Sequence, residues 1–342
     1  MRSFIYIPLI LAAAVIAYGF NSSKNTKAAK VLTNDHYNFV SVNEIMMYIS
    51  NNGDGSHDPN TDSQGLYWPG GINATKAAVF EDGLIWGGVV NGDTMVGGST
   101  YRHGLQAGVI LSNGAADDPN LPKYRVYKVL DGWENLPPGP ERDQYEMDYN
   151  EWPAEDGAPF NDINHDGIYT PGIDNPYIGD ETMWCVSNDL DPSRTTFLYG
   201  SMPMGLEVQT LVYAYDQSGF LGNTVFKKYK VINKGQNTIE NMYLSYWQDD
   251  DLGDGNDDFS GSDIGLKLGY TYNGLYHDLI YGDAPPAVGH MLVQGPIVPA
   301  GPADSAYFNN EWRKGHKNLP MTSFAFYMNG SSIYRDPDLG LP

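Results

Sequence analysis

Cysteine is almost missing from this chain. Cys185 is the single one in 342 residues, which excludes an intramolecular disulfide, a zinc site built on two thiolates and a CxxC redox pair. Basic residues are scarce too. Twenty Lys and Arg stand against 42 Asp and Glu, and the formal net charge of −22 repels nucleic-acid phosphates and anionic lipid headgroups while attracting cations. Nucleic acid is therefore not an expected partner. Beyond the first twenty residues no apolar run approaches the roughly 20 residues needed to span a bilayer, so no membrane insertion is expected once a leader is removed. The sequence also lacks a GxSxG elbow, an HExxH zinc helix, a GxxxxGK[ST] loop and a GxGxxG turn after a strand, the compact signatures of hydrolase, metalloprotease and nucleotide chemistry. His36, His57, His103, His165, His277, His290 and His316 are scattered without ligand spacing. Cys185, between Trp184 and Val186, has no basic neighbour and reads as a small buried apolar residue rather than a reactive thiol.

What is present points to strands. Hydrophobic residues make up 41% of the chain, enough to bury a core. Gly 39, Pro 22 and Tyr 25 suit short strands and tight turns rather than a helical bundle. The expected fold is all-β, an antiparallel meander followed by a β-sandwich-like region, with a Pro- and Asp-rich irregular connector between them. Arg2 followed by an apolar run to Tyr18 reads as a secretory leader over residues 1–19, cut after Ala17 or Gly19, and residues 20–30 as a flexible start.

Residues 31–130 form the expected N-terminal β region. Ser41 and Glu44 resemble a capping box before Ile45 and Ile49, but Phe39, Val40, Tyr48 and Ile49 favour a strand ending at Asn51-Asn52-Gly53. Strands are then expected over 77–80, 84–90, 94–96 and 107–111, with turns at Glu81-Asp82-Gly83 and Asn91-Gly92, and another over 124–130 carrying Arg125 and Lys128. Residues 131–182 hold Pro137, Pro138, Pro140, Pro153, Pro159, Pro171 and Pro176, which block regular pairing. So long an irregular stretch has to be pinned, and Trp133, Trp152, Phe160 and a metal are the candidates. In the C-terminal region, 183–342, strands are expected over 206–215, 224–233, 239–247 and 265–273, extended by 290–293 and 323–328.

The most specific motif lies in the connector: Asp162-Ile163-Asn164-His165-Asp166-Gly167-Ile168-Tyr169. Oxygen side chains on alternate residues, with a glycine at the bend, are what a hard cation requires. Asp162, Asn164 and Asp166 take positions 1, 3 and 5 of an EF-hand-type loop, with the Ile168 carbonyl at position 7. Position 12 holds Ile173, Asp174 follows it, and nearby prolines forbid the usual exit helix, so a helix-less calcium loop is expected, the alternative being a metal-free Asx-turn loop. A denser run, Asp249, Asp250, Asp251, Asp254, Asp257 and Asp258, is bracketed by strands and offers Asp249, Asp251, Asp254, Asp257 and Asp258 as ligands for calcium, against the alternative of a solvated charged face. Asn52, Asp54, Ser56 and Asp58 also alternate, and here a hydrogen-bonded turn is the preferred reading.

The strings SNNGDGSHDPNTDSQGLYWPGG, FEDGLIWGG, TYRHGLQAG, EWPAEDGAPFNDINHDGIYTPGID, SNDLDPSRTTFLYGS and DDDLGDGNDDFSGSDIGLKLGYTYNG resemble a group of large, uncharacterised secreted proteins exported by the type IX secretion system of Gram-negative bacteria. The resemblance covers nearly all of the chain after the leader. It implies β-rich architecture and a place outside the cell or on its outer surface, and it brings no catalytic residues. Such cargo usually carries a C-terminal sorting domain, and the chain closes at Asp338-Leu339-Gly340-Leu341-Pro342 without one, so the expectation is either a sequence continuing past residue 342 or a protein that stops at the periplasm. The expected function is that of a secreted, calcium-stabilised structural or binding component, with glycans or other cell-surface molecules as partners. The alternative is a polysaccharide hydrolase using two carboxylates in a cleft lined by some of the seven Trp.

Overall fold

The computed structural model describes residues 35–101, 103–308, 311–328 and 333; the expected leader and flexible start lie outside the described residues. Along the N-terminal part run β1 (Tyr37–Val40), β2 (Met46–Ser50), β3 (Asp54–Gly55), β4 (His57–Asp58), β5 (Ser63–Gln64), β6 (Leu66–Tyr67), β7 (Ala77–Val79), β8 (Glu81–Val90), β9 (Asp93–Gly98), β10 (Gln106–Ala107) and β11 (Tyr127–Leu130). After the connector come β12 (Glu181–Asn188), β13 (Leu206–Ala214), β14 (Val225–Asn233), β15 (Glu240–Asp249), β16 (Asp258–Asp263) and β17 (Leu268–Asn273). Pairing is antiparallel throughout the named strands, and the chain is all-β in class.

Strands from both sides of the connector interleave. One sheet has the order β15-β8-β3-β2-β6-β7, with β1 on β2 and β9 on β8; the other has the order β10-β12-β13-β14, with β11 on β12. The inner faces of the two sheets pack together. Val40, Met47, Ile49 and Val79 meet Met183, Cys185, Val212 and Ala214, while Trp86 and Val90 meet Leu206 and Val208. The opposite face of the second sheet is covered as well, by Tyr124, Trp152 and Ala158 against Trp184, Val186 and Leu211. This explains why every residue of β12 is buried: its alternate side chains enter two different cores. Cys185 is 2% exposed, and burial pushes its thiol up to about 12, which suits an apolar filler and not a nucleophile.

Four local expectations are corrected. Glu81-Asp82-Gly83 does not turn; it begins β8, because Asp82 pairs with Lys227 of β14 and Gly83 with Asp54 and Trp247 of the neighbouring strands. The connector is not wholly irregular either, since α1 (Pro140–Asn150) forms within it. Pro140 stands at the first turn, where its missing N–H is not needed, and Glu141 and Asp143 favour the helix N-terminus. Arg125 ties the helix to the second sheet, donating from Nε to Asp148 Oδ1 at 2.7 Å. Trp133 and Trp152 are buried, Trp133 against Tyr149, and Phe160 packs in the cluster of Trp152, so the aromatic pins expected for this stretch are in place. A second helix, α2 (Pro192–Tyr199), is capped by Asp191. Over 107–111 only Ala107 belongs to a strand, with a single bridge at Ile110, and 323–328 form no strand.

Candidate cation sites

The connector loop is shaped by its own acids. Asp162 Oδ1 and Oδ2 accept from the backbone N–H groups of Asp166 at 3.2 Å and Gly167 at 2.8 Å. Asn164 Oδ1 accepts from Asp166 N at 3.2 Å, and Asp166 Oδ1 accepts from Ile168 N at 2.8 Å. His165 and Gly167, with φ of 59° and 76°, supply the reversal that turns these oxygens inward. Asp162 is half-buried, and residues 163–168 are exposed. Asp174 does something different. It is 1% exposed, and its two oxygens accept from Ile163 N and Thr170 N, both at 2.8 Å, so it clamps the loop ends together. Tyr149 of α1 secures the clamp: its hydroxyl donates to the Asp174 carbonyl at 3.0 Å, and Tyr169 donates to the Tyr149 carbonyl at 2.7 Å. Side-chain oxygens carrying one N–H bond keep lone pairs for an ion, so Asp162, Asn164 and Asp166 are the residues here that could hold a cation, with Asp174 as the group that fixes the loop.

The acids of 249–258 run from the end of β15 through a loop to the start of β16. Asp249 ends β15 opposite Glu81. Asp250 accepts from Thr271 Oγ1 at 2.8 Å and lies 2.9 Å from His290 Nε2. Asp254 accepts from Asn256 Nδ2 at 2.6 Å, and Asp257 from Asn273 Nδ2 at 2.7 Å. Asp258 opens β16; its Oδ2 accepts from Leu252 N at 2.8 Å, whereas Oδ1 is buried without a hydrogen-bond partner among the described residues. Burial, reinforced by the charges of Asp257, Asp251 and Asp250, pushes the Asp258 carboxyl up to about 7 despite the Leu252 bond. Burial also raises Asp251, with Asp250 and Asp254 adding to it. Crowded carboxylates with raised pKa values hold either protons or a cation.

Asp278 was not singled out by the sequence. It is fully buried, and its carboxylate accepts from the N–H groups of Asp254 at 2.9 Å, Ile280 at 2.7 Å and Tyr281. Burial opposes its charge, but these donors outweigh burial and hold it below the usual carboxylate range. No spacing rule marks such a residue, because its partners lie in a turn 24 residues earlier as well as beside it.

Asn52, Asp54, Ser56 and Asp58 go separate ways. Asn52 Oδ1 accepts from Asp54 N at 3.2 Å, Asp58 Oδ1 accepts from Asn60 N at 2.9 Å, and Ser56 donates to Asp82. Asp54 instead joins His57 and Glu81, whose ligand atoms lie within 4.8 Å of one another. A cleft of about 450 Å³ opens between α1 and the connector loop, lined by Lys123, Tyr127, Glu151, Trp152, Asp156 and Tyr169 among others. Two of its three acids are tied to cations, Glu151 to Arg125 at 2.9 Å and Asp156 to Lys123 at 3.5 Å, and Glu155 is the third. Trp86, Trp133, Trp152 and Trp184 are core residues.

Compared with protein-family models, with curated proteins and with solved structures, the chain matches none.

Proposed function

We propose that this chain is a calcium-stabilised β-sandwich protein working outside the cell, or on its outer surface, as a structural or binding component. One observation carries the reading: Asp162, Asn164 and Asp166 present inward-turned oxygens on a loop that the buried Asp174 closes. Calcium suits this irregular oxygen set, whereas magnesium demands near-octahedral geometry and gives up water reluctantly. The acids of 249–258, with the orphaned Asp258 oxygen, are the second place where calcium relieves repulsion. Binding falls to exposed rings such as Phe259 and Tyr272, which stack at 6.1 Å across β16 and β17 and offer a face to sugar rings.

Thermal unfolding in excess calcium and in excess chelator tests the reading. Calcium at about 100 times its dissociation constant stabilises the fold by about 2.7 kcal/mol, and magnesium by less. Asp166→Ala removes the connector's share of this gain, and Asp254→Ala removes the share of the second cluster. Equal melting temperatures of the wild type in calcium and in chelator would refute the reading.

A further inference from the structure

Asp54 is placed by its strand rather than by its sequence neighbours. β3 lies between β2 and β8 with Asp54 opposite Gly83, so Asp54 projects from the same sheet face as Glu81, two residues before Gly83. Ser56, with φ of 57°, then turns the chain so that β4 pairs with β5 instead of continuing the sheet. This brings His57 beside the two acids, and one ligand atom from each of the three lies within 4.8 Å of the others. Asp54 and Glu81 are 4% and 2% exposed.

The Asp54 carboxylate is only half satisfied. Its Oδ2 lies 2.5 Å from His103 Nδ1, while Oδ1 is buried and has no hydrogen-bond partner among the described residues. A buried carboxylate oxygen without a donor is costly, and His103 meets only the other oxygen of the group. His57 is steered from outside, its Nε2 lying 3.1 Å from Asp62 Oδ1, the arrangement in which a carboxylate orients a metal-binding imidazole.

We propose that Asp54, His57 and Glu81 bind a divalent transition metal of the zinc or manganese class. Metal–ligand distances of about 2.0–2.2 Å let a shared ion draw this cluster together with small adjustments. The imidazole selects against calcium and magnesium, which take oxygen ligands. The two carboxylates balance the ion's charge, and Asp54 Oδ1 gains the partner it lacks. Three protein donors leave a fourth position for water or a small ligand. A chain of aromatic rings leads away from His57, with Phe80 at 6.0 Å from its ring, Tyr101 at 6.5 Å from Phe80 and Trp247 at 4.6 Å from Tyr101.

This site is independent of the calcium reading, and the experiment keeps the two apart. Metal-stripped full chain is dialysed separately against zinc, manganese and calcium, and bound metal is counted by mass spectrometry. The wild type takes up one equivalent of zinc or manganese that His57→Ala lacks, and Asp166→Ala in the connector loop retains it. Asp62, 92% exposed, can be changed without disturbing the core, and Asp62→Asn weakens binding about 10- to 100-fold. Circular dichroism checks that both variants keep the fold. Equal zinc and manganese uptake by the wild type and by folded His57→Ala overturns the proposal, as does unchanged affinity in Asp62→Asn with His57→Ala also binding normally.

Discussion

Lys227 reaches from β14 into the space between the sheets and meets Asp82 of β8, with Nζ 2.5 Å from Oδ1 and 2.9 Å from the Tyr246 hydroxyl. Both side chains are nearly enclosed, and Ser56 donates to the same carboxylate. Lys227→Met leaves Asp82 buried without its counter-charge, and the expected loss is about 3–5 kcal/mol in urea unfolding; a loss below 1 kcal/mol would show that Asp82 is solvated. His290 shows the pH side of the same electrostatics. Burial disfavours its cation, yet the charge of Asp250 and their hydrogen bond outweigh this and hold the imidazole above its ordinary value. A folded pKa above the unfolded one means that the pair's stabilisation is complete below about pH 6.5 and is lost as pH rises through the elevated folded value. His290→Asn is expected to flatten the fall in melting temperature above neutral pH; a variant that tracks the wild-type profile would contradict this.

Among the elements, the β8–β9 hairpin is the one whose cause is wholly local. Asn91 and Gly92 take φ of 54° and 93°, and a Cβ added at Gly92 meets nothing within 4 Å. Gly92→Ala therefore isolates the conformational cost of the left-handed region, about 1 kcal/mol, measurable as a shifted urea midpoint with an unchanged slope. Helix α1 shows the opposite case. The prolines of the connector look like breaks when counted over a window, but Pro140 sits where the helix begins, and the helix is held by Arg125 and by Tyr145 in the core rather than by an apolar stripe of its own. The Glu81-Asp82-Gly83 triplet likewise has turn chemistry, and pairing with β3 and β15 on either side overrides it.

At the scale of the whole chain the excess of acid governs. With a formal charge of −22, self-repulsion works against the folded state, and raising monovalent salt shortens the Debye length from about 30 Å at 0.01 M to about 10 Å at 0.1 M. The melting temperature in chelator is expected to rise over that range. A fall would mean that ion pairs such as Arg125–Asp148 and Lys128–Glu181 outweigh the repulsion. Among the described residues no helix is long and apolar enough to cross a membrane.

The sequence by itself determined the β class, the Asn91-Gly92 hairpin, the burial of Cys185 and the aromatic pinning of the connector, because each follows from local conformational preference or from the hydrophobicity of single residues. The Asp162, Asn164 and Asp166 loop was legible for the same reason, since its oxygens and its bend lie within a few consecutive residues. Only the tertiary structure decided that β15 joins β8, that Asp174 and Asp278 are buried clamps, and that Asp54 meets His57 and Glu81. Strand alternation says which face a residue takes and not which strand lies beside it. The company of a buried carboxylate is therefore set by sheet order and register, which join segments far apart in the chain.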